Sequence, residues 1–510
     1  MRVSASLAAV LMLAALTATP SSATANNAVT QWNSALQRTI RKLSIANQIS
    51  SRYLSLVHVA QYQVRRSKYD IAARDHESCA AGFALTTSAH PYHVMRNDTP
   101  ACPANPAVSK TIRLAPCDEH HALSQALTVN EGRVNETAVA AFAAHFIASE
   151  YFPNEMNDGS QAWAQFRFAP LNTVGAYQPA TANQTSAVYP QLAATKPWVL
   201  PPASQFVPQN FANLSHAEVG TPAYDQEYEA VKLFGYKNST ARDPYQQETP
   251  HFWADDVNTA AITGHWNNIT ALVLPSNVSL TESAELFARL NVAFYDSNIA
   301  GWYIKFKTLF WRPITAITQG DLTHPADPTW TPLLNTPAHP EFPSTHSVSS
   351  GAAAAVLARY FGTDNITFDI GSEYPKQDLK PRRFNSFSSA AIEIANSRVY
   401  GGIHFPSSGP HGLTVGVVAG DYVYANFNAL TPSNGPAPAV NPPVSIPVSD
   451  GSFYGPLSQE QPQPGVEAPL PAPTLPTITL ASQANGSSVP SSAAPAPQSN
   501  TSASSSSTSG

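Results

Sequence analysis

Apolar residues recur along this chain at helical rather than alternating spacing. From Thr30 to Val64, Trp32, Leu36, Ile40 and Leu43 lie on one face with polar residues between them, which predicts an amphipathic helix. Glu131 to Phe152 is a second, Ala-rich helical candidate. Ser279-Leu-Thr-Glu282 has the spacing of a capping box and opens a long apolar-periodic run toward Trp311. The small-residue run Val348 to Leu357 stops at Gly362, and another helical run ends near Tyr400, before Gly401-Gly402. Pro-rich stretches such as Gln178 to Pro208 read as irregular separators without strand alternation, and no internal repeat is visible. The pattern predicts an all-α body over residues 26 to 430.

Composition adjusts this picture at the ends. The 510 residues are 43% hydrophobic and only 12% charged, with 45 prolines, as in a globular body with Pro-rich connections. A formal charge of −6 leaves no basic surplus for a phosphate backbone, so nucleic acid is not an expected partner and any anion site must be built locally. Arg2, the apolar run Leu7 to Leu16 and Ala23-Thr24-Ala25 read as a cleaved signal peptide, the run being about half of the roughly 20 residues that span a bilayer. Ten Asn-x-Ser/Thr sequons (Asn97, Asn135, Asn183, Asn213, Asn238, Asn268, Asn277, Asn365, Asn485 and Asn500) fit a glycosylating secretory route. Cys79, Cys102 and Cys117 allow one disulfide among three pairings, and no Cys-x-x-Cys spacing suggests a metal. Beyond about Leu430 the chain turns to Pro, Ala, Ser and Gln without Lys or Arg, an expected disordered tail that could carry O-linked sugars or serve as a spacer.

Three segments carry candidate chemistry. In the first, Lys305 and Arg312 stand seven apart, a spacing that returns to nearly the same helix face, and Pro313 is expected to end that helix. Their apolar flanks Phe306, Leu309, Phe310 and Trp311 make a buried cationic stripe costly unless an anion neutralises it. In the second, His339-Pro-Glu-Phe-Pro343-Ser344-Thr345-His346, Ser344 is the expected N-cap, and the N–H groups of Thr345 and His346 lie at a positive helix end suited to an oxyanion. His346 beside it could pass protons near neutral pH. In the third, Arg398 and His404 flank Gly401-Gly402, glycines that let backbone approach a ligand. Each segment alone also reads as ordinary structure: a solvated basic face, a capped helix, a satisfied histidine. Together they supply three cations, a hydroxyl, two N–H groups and two histidines, a set suited to a tetrahedral oxyanion.

The motifs Lys-x6-Arg-Pro, Pro-Ser-x-His and Ser-Arg-x5-His, in this order, resemble those of the vanadium haloperoxidase and type 2 phosphatidic acid phosphatase (PAP2) superfamily. Phe252-Trp-Ala-Asp255-Asp256, Gly264-His-Trp-Asn267, Asn291 to Asp296 and Phe310 to Ile317 look like the soluble haloperoxidase branch. The resemblance covers roughly residues 220 to 427. It implies an all-α helical bundle of that type with long Pro-rich loops, divided into a signal peptide (1–25), an N-terminal helical part (26–219), a catalytic region (220–430) and the tail (431–510). It also implies one vanadate per site, with Lys305, Arg312, Ser344, the Thr345 N–H and Arg398 on its oxygens, His404 as the ligand to the metal and His346 as acid–base residue. Trp302 and His339 become halide-pocket candidates that point to bromide or iodide, and Asp255 or Asp256 a partner for Arg398. Thr345 departs from the small residue usual there, and a β-branched side chain crowds a ligand and disfavours positive φ.

The resemblance implies a secreted enzyme that oxidises halide with hydrogen peroxide. The alternative is a soluble acid phosphatase that hydrolyses a phosphate monoester through a phospho-histidine on His404 and needs no cofactor, since phosphate and vanadate share a shape. A further alternative is a secreted glycoprotein with a vestigial site. No membrane span is expected, and the tail could associate with a matrix.

Overall fold

The computed structural model describes residues 27–42, 45, 49–62, 158–160, 173–180, 187–255, 258–374, 379–430 and 444–447. The leader, Glu131 to Phe152, the three cysteines, the sequons at Asn97, Asn135, Asn183, Asn485 and Asn500, Asp256 and nearly all of the tail lie outside them. Helices dominate the described residues: α1 (Ala28–Lys42), α2 (49–62), α3 (Ala203–Asn210), α4 (Pro222–Phe234), α5 (Pro244–Phe252), α6 (Ala261–Val273), α7 (Leu280–Thr308), α8 (Pro313–Gln319), α9 (Thr345–Phe361), α10 (Phe387–Tyr400) and α11 (Ser408–Asn426). A short antiparallel hairpin, β1 (Phe368–Ile370) with β2 (Arg382–Phe384), pairs Phe368 with Phe384. Among the described residues no helix is long and apolar enough to cross a membrane.

Local signals set most helix ends. Ser279 and Glu282 form the expected capping box of α7, the N-cap oxygen taking the Glu282 N–H and the Glu282 carboxylate taking the Ser279 N–H. Gly362, with φ 71°, closes α9 in the left-handed region. The region read as irregular between Gln178 and Pro208 instead contains a 3₁₀ turn at Pro190–Ala194 and most of α3. Proline at the first helical position has no N–H to lose, and it opens α4, α5 and α8 as well.

The 29-residue α7 is the axis of the bundle, buried on nearly every face between α9 and α11 and against α1, α3 and α6. Helices α9 and α11 meet most closely. A β-carbon on Gly412, Gly416 or Gly420 would lie 2.5 Å from Ser344 O, 2.0 Å from Val348 O or 2.7 Å from Ala352 O, and one on Gly351 2.3 Å from Leu413 O. Glycine every fourth residue therefore lets the two backbones touch.

The flanking motifs of the sequence form this frame. Asn267 of α6 and Asn291 of α7 exchange amide hydrogen bonds at 2.8 and 2.9 Å inside the core. Asp296 accepts the N–H groups of Trp198, Val199 and Leu200 at 2.8, 2.7 and 2.9 Å, fastening that loop to α7. Trp266 donates to Ser350 Oγ at 3.0 Å, tying α6 to α9.

His58 in α2 is fully buried, stacked on Phe287 at 5.1 Å with Gln61 and Asn33 on its ring nitrogens. Burial lowers its pKa to about 4, outweighing the Gln61 hydrogen bond. A depressed folded-state pKa gives stability that is complete above the unfolded value near 6.5 and is lost as pH falls toward 4. Denaturant unfolding of wild type should lose about 3 kcal/mol over that window from this residue alone, and His58→Gln should flatten that part of the profile. Parallel pH profiles for the two proteins would contradict it.

Candidate active site

The site is assembled from loops that interrupt the bundle. Lys305 occupies the last turn of α7, where a cation complements the exposed carbonyl ends. The helix stops at Thr308, and Leu309 (φ 49°, ψ 38°) turns the chain in the left-handed region. Residues 309–312 then run flat against a neighbouring segment: Tyr177 N–H donates to Leu309 O at 2.6 Å and Trp311 N–H to Gly175 O at 2.9 Å. Lys305 and Arg312 thus do not share one helix, as their spacing suggested. Arg312 is the N-cap of α8, with Pro313 as its first residue. They converge all the same, because both reach the turn at 339–341. Lys305 Nζ donates to Pro340 O and Glu341 O at 2.9 and 2.8 Å, and Arg312 Nε donates to His339 O at 3.0 Å.

At the centre of that turn is Glu341, fully buried and missed in the sequence reading. Its backbone N–H donates to Phe310 O at 2.9 Å. Its carboxylate accepts from His404 Nδ1 at 2.6 Å, Phe405 N–H at 3.0 Å and Ser408 Oγ at 2.7 Å. Burial pushes its pKa up to about 7 against the pull of Arg312 and Lys305. The one available signal was an acidic residue between the two histidines of the second motif.

Because Glu341 takes the Nδ1 proton, His404 carries its lone pair on Nε2. That nitrogen is 3.1 Å from Arg312 Nη1, whose other contact is Ile403 O at 2.7 Å. Gly401 and Gly402 deliver His404 as expected, but their close approach is to protein. A β-carbon on Gly402 (φ 73°) would lie 2.4 Å from Gly235 O.

Ser344 caps α9, its Oγ facing Ser347 N–H at 3.4 Å and its own N–H donating to Ser408 O at 3.1 Å. Thr345 is the first helical residue and is not among the positive-φ positions, so the backbone conflict expected of its β-branch does not arise. Its methyl packs toward Gly301, where a β-carbon would come within 3.7 Å of it. His346 hydrogen-bonds the Ala254 backbone, and its Nε2 is buried without a partner among the described residues. Arg398, in the last turn of α10, donates from Nη1 to Trp253 O at 3.2 Å. Asp255, one of two carboxylates expected to serve Arg398, is seated on His265 at 3.1 Å; Asp256 lies outside the described residues.

Trp302 and His339 do meet, with ring centroids 4.9 Å apart. His339 Nδ1 faces Arg312 Nη2 at 3.0 Å, and Trp302 Nε1 is buried without a partner among the described residues. Lys305 Nζ lies 6.0 Å from the Trp302 ring.

Lys305 and Arg312 therefore lie buried beside one carboxylate, with Arg398 near enough to act on His346 and His404. Burial and the charge of Arg312 hold Lys305 well below the usual ammonium range, despite Glu341. Burial, then the neighbouring cations, likewise hold His339, His346 and His404 well below 6.5, Arg398 being the largest charge acting on His346. Neutral imidazoles and mutually repelling cations favour an anion, which relieves the repulsion. Among the described residues no group of three His, Cys, Asp or Glu side chains could hold a cation. The donors fit an oxyanion such as vanadate, with one lone-pair nitrogen at its edge.

The family model of the vanadium chloroperoxidase (VCPO) second helical-bundle domain matches residues 285–432, the span that supplies all of these anion donors. The chain is a relative of the vanadium haloperoxidases. It is similar to the vanadium chloroperoxidase of Curvularia inaequalis, at 28% identity over 224 residues covering 33% of this chain, and it spans 37% of that protein's length. In fold it is similar to a bacterial vanadium-dependent iodoperoxidase, with a TM-score of 0.55 and 22% identity over 80% of this chain and 98% of the other. A holo-type bacterial vanadium-dependent chloroperoxidase gives 0.50 and 16% over 76% and 94%. This haloperoxidase relative shares the helical-bundle fold expected from its sequence.

Replacing Glu341 by Ala strands three buried donors at once. Its unfolding free energy should drop by about 3 kcal/mol or more, and that of Glu341→Gln by less. A loss under about 1 kcal/mol for the alanine variant in denaturant titrations would show that the carboxylate does not organise the site.

Proposed function

We propose that this chain is a secreted, vanadate-dependent haloperoxidase-like enzyme that oxidises halide with hydrogen peroxide. The observation that carries the reading is the lone-pair Nε2 of His404, backed by Glu341 and faced by Arg312 beside Lys305. Lys305, Arg312, Ser344, the Thr345 N–H and Arg398 would hold the oxygens of vanadate, and His404 Nε2 would be its protein ligand. When bound, the metal supplies Lewis acidity that activates peroxide toward a halide. The residues do the rest. Glu341 keeps the His404 proton on Nδ1. Arg312 and Arg398 neutralise oxygen charge without themselves releasing protons at neutral pH. Lys305 has two of its three N–H bonds committed to carbonyls, leaving one to polarise a bound oxygen. His346 hydrogen-bonds Ala254 through its other ring nitrogen, so its buried Nε2 is the lone-pair atom and can take a proton from an incoming peroxide. Trp302 and His339 wall the side from which a halide would arrive.

Reconstituting the purified protein with orthovanadate should yield halide oxidation by peroxide that requires vanadate and is suppressed by competing phosphate. Phosphate-ester hydrolysis inhibited by vanadate, without oxidation, would instead assign the acid phosphatase chemistry on the same residues. His404→Ala should abolish vanadate retention, whereas His346→Ala should lower turnover about a hundredfold with binding little changed. Equal loss of binding in both would contradict these roles. His339→Phe should shift the ratio of bromide to iodide turnover, and an unchanged ratio would remove His339 from the halide path.

A further inference from the structure

His265 lies one layer behind the anion donors and has no part in the chemistry just described. It is fully buried in α6, with its ring 4.6 Å from that of Trp253. Both ring nitrogens face acceptors: Nδ1 is 3.1 Å from Asp255 Oδ1, and Nε2 is 3.1 Å from Gly371 O. A carbonyl oxygen cannot donate, so Nε2 carries a proton. An imidazole is ordinarily a stronger base than a carboxylate, so the proton between Nδ1 and the Asp255 carboxylate rests on the ring. Burial alone would discharge the ring. The charge and hydrogen bond of Asp255, helped by Glu373, raise its pKa instead.

We propose that His265 is held as a buried imidazolium between Asp255 and the Gly371 carbonyl, and that it is a positioning residue for the anion site. The route is short. Asp255 takes up a left-handed turn (φ 43°), a conformation that needs outside support in a residue other than glycine. The two residues before it present their backbones to the site: Trp253 O receives Arg398 Nη1, and Ala254 receives His346. On the other side, Gly371 leads into Ser372, which donates to Phe252 O at 2.9 Å, and Glu373, which accepts Ala260 N–H at 2.6 Å and pairs with Arg41 of α1. The imidazolium thus joins the segment under Arg398 and His346 to the 371–373 segment. Among the described residues the charges acting on it are Asp255 and Glu373, the latter paired with Arg41; losing the proton leaves one of its two acceptors unmatched.

The proposal rests on the anion-site reading, and the experiment separates the two. The ring nitrogens of ¹⁵N-histidine-labelled full-length protein report protonation directly, with the His265 signals assigned through His265→Gln. At neutral pH His265 should show two protonated nitrogens while His339, His346 and His404 remain neutral; an unprotonated His265 nitrogen there would overturn the proposal. Sulfate, whose charge does not change over the alkaline range, then probes the site. Wild type should bind it about tenfold more weakly once His265 deprotonates, as for loss of one charge-assisted hydrogen bond, with the midpoint at the titration of that ring. His265→Gln should bind weakly at neutral pH and lack the step at the His265 midpoint, whatever Lys305 and Glu341 contribute elsewhere in the profile. Wild-type affinity in a folded His265→Gln, or a step in it at the midpoint of the wild-type His265 titration, would also overturn the proposal. Wild type that binds no sulfate at any pH would count against the anion site itself, while the nitrogen signals would still decide the charge on His265.

Discussion

A single buried carboxylate fixes the geometry on which the rest of this site depends. Glu341 gathers His404, Phe405 and Ser408 on its oxygens, while its backbone joins Phe310 and Lys305. These contacts come from the end of α7, the turn before α9 and the turn between α10 and α11, segments up to about a hundred residues apart in the chain. A carboxylate accepts several hydrogen bonds at once and donates none. It therefore sets the direction of every proton around it, and the reactive face of His404 follows.

Charge explains why so polar a centre persists in an apolar bundle. Lys305 and Arg312 would each be expensive to bury alone. The carbonyls of 339–341 and 403 spread that cost over fixed dipoles, and Glu341 offsets part of the charge. What remains is a positive excess facing neutral histidines. For the oxyanion proposed above, the donors would be held by the protein rather than gathered by the ligand.

Much of this was legible because it is local. The capping box at Ser279, the Ser344 cap, the stop at Gly362 and the turn at Gly401-Gly402 need only a few neighbouring residues to form. The cationic and histidine motifs were visible through their order along the chain. Glu341 was not, since its main partner His404 lies 63 residues away and nothing in its own neighbourhood marks it as buried. The helix carrying Lys305 ends early because residues 309–312 find hydrogen bonds with 175–177, which no local propensity encodes. The hairpin escaped for a similar reason: three-residue strands show no periodicity and exist through pairing. Proline misled where it opened helices instead of breaking them.

The contact of α9 with α11 fixes the two halves of the site against each other. Gly412 lies directly under Ser344 O, and Ser344 N–H is bonded to Ser408 O, so the start of α11 is locked against the turn that begins α9. Ser408 also holds Glu341, and Glu341 holds His404. A side-chain interface could adjust by rotamer changes of a few tenths of an ångström, whereas backbone against backbone has no such slack. Any residue larger than glycine at 412 or 416 must therefore separate the helices, moving the Ser344 cap away from Ser408 and so from the Glu341–His404 pair that Ser408 holds. The glycine stripe, remote from the chemistry in sequence, sets the distance between the helix end that offers N–H groups and the nitrogen that offers a lone pair.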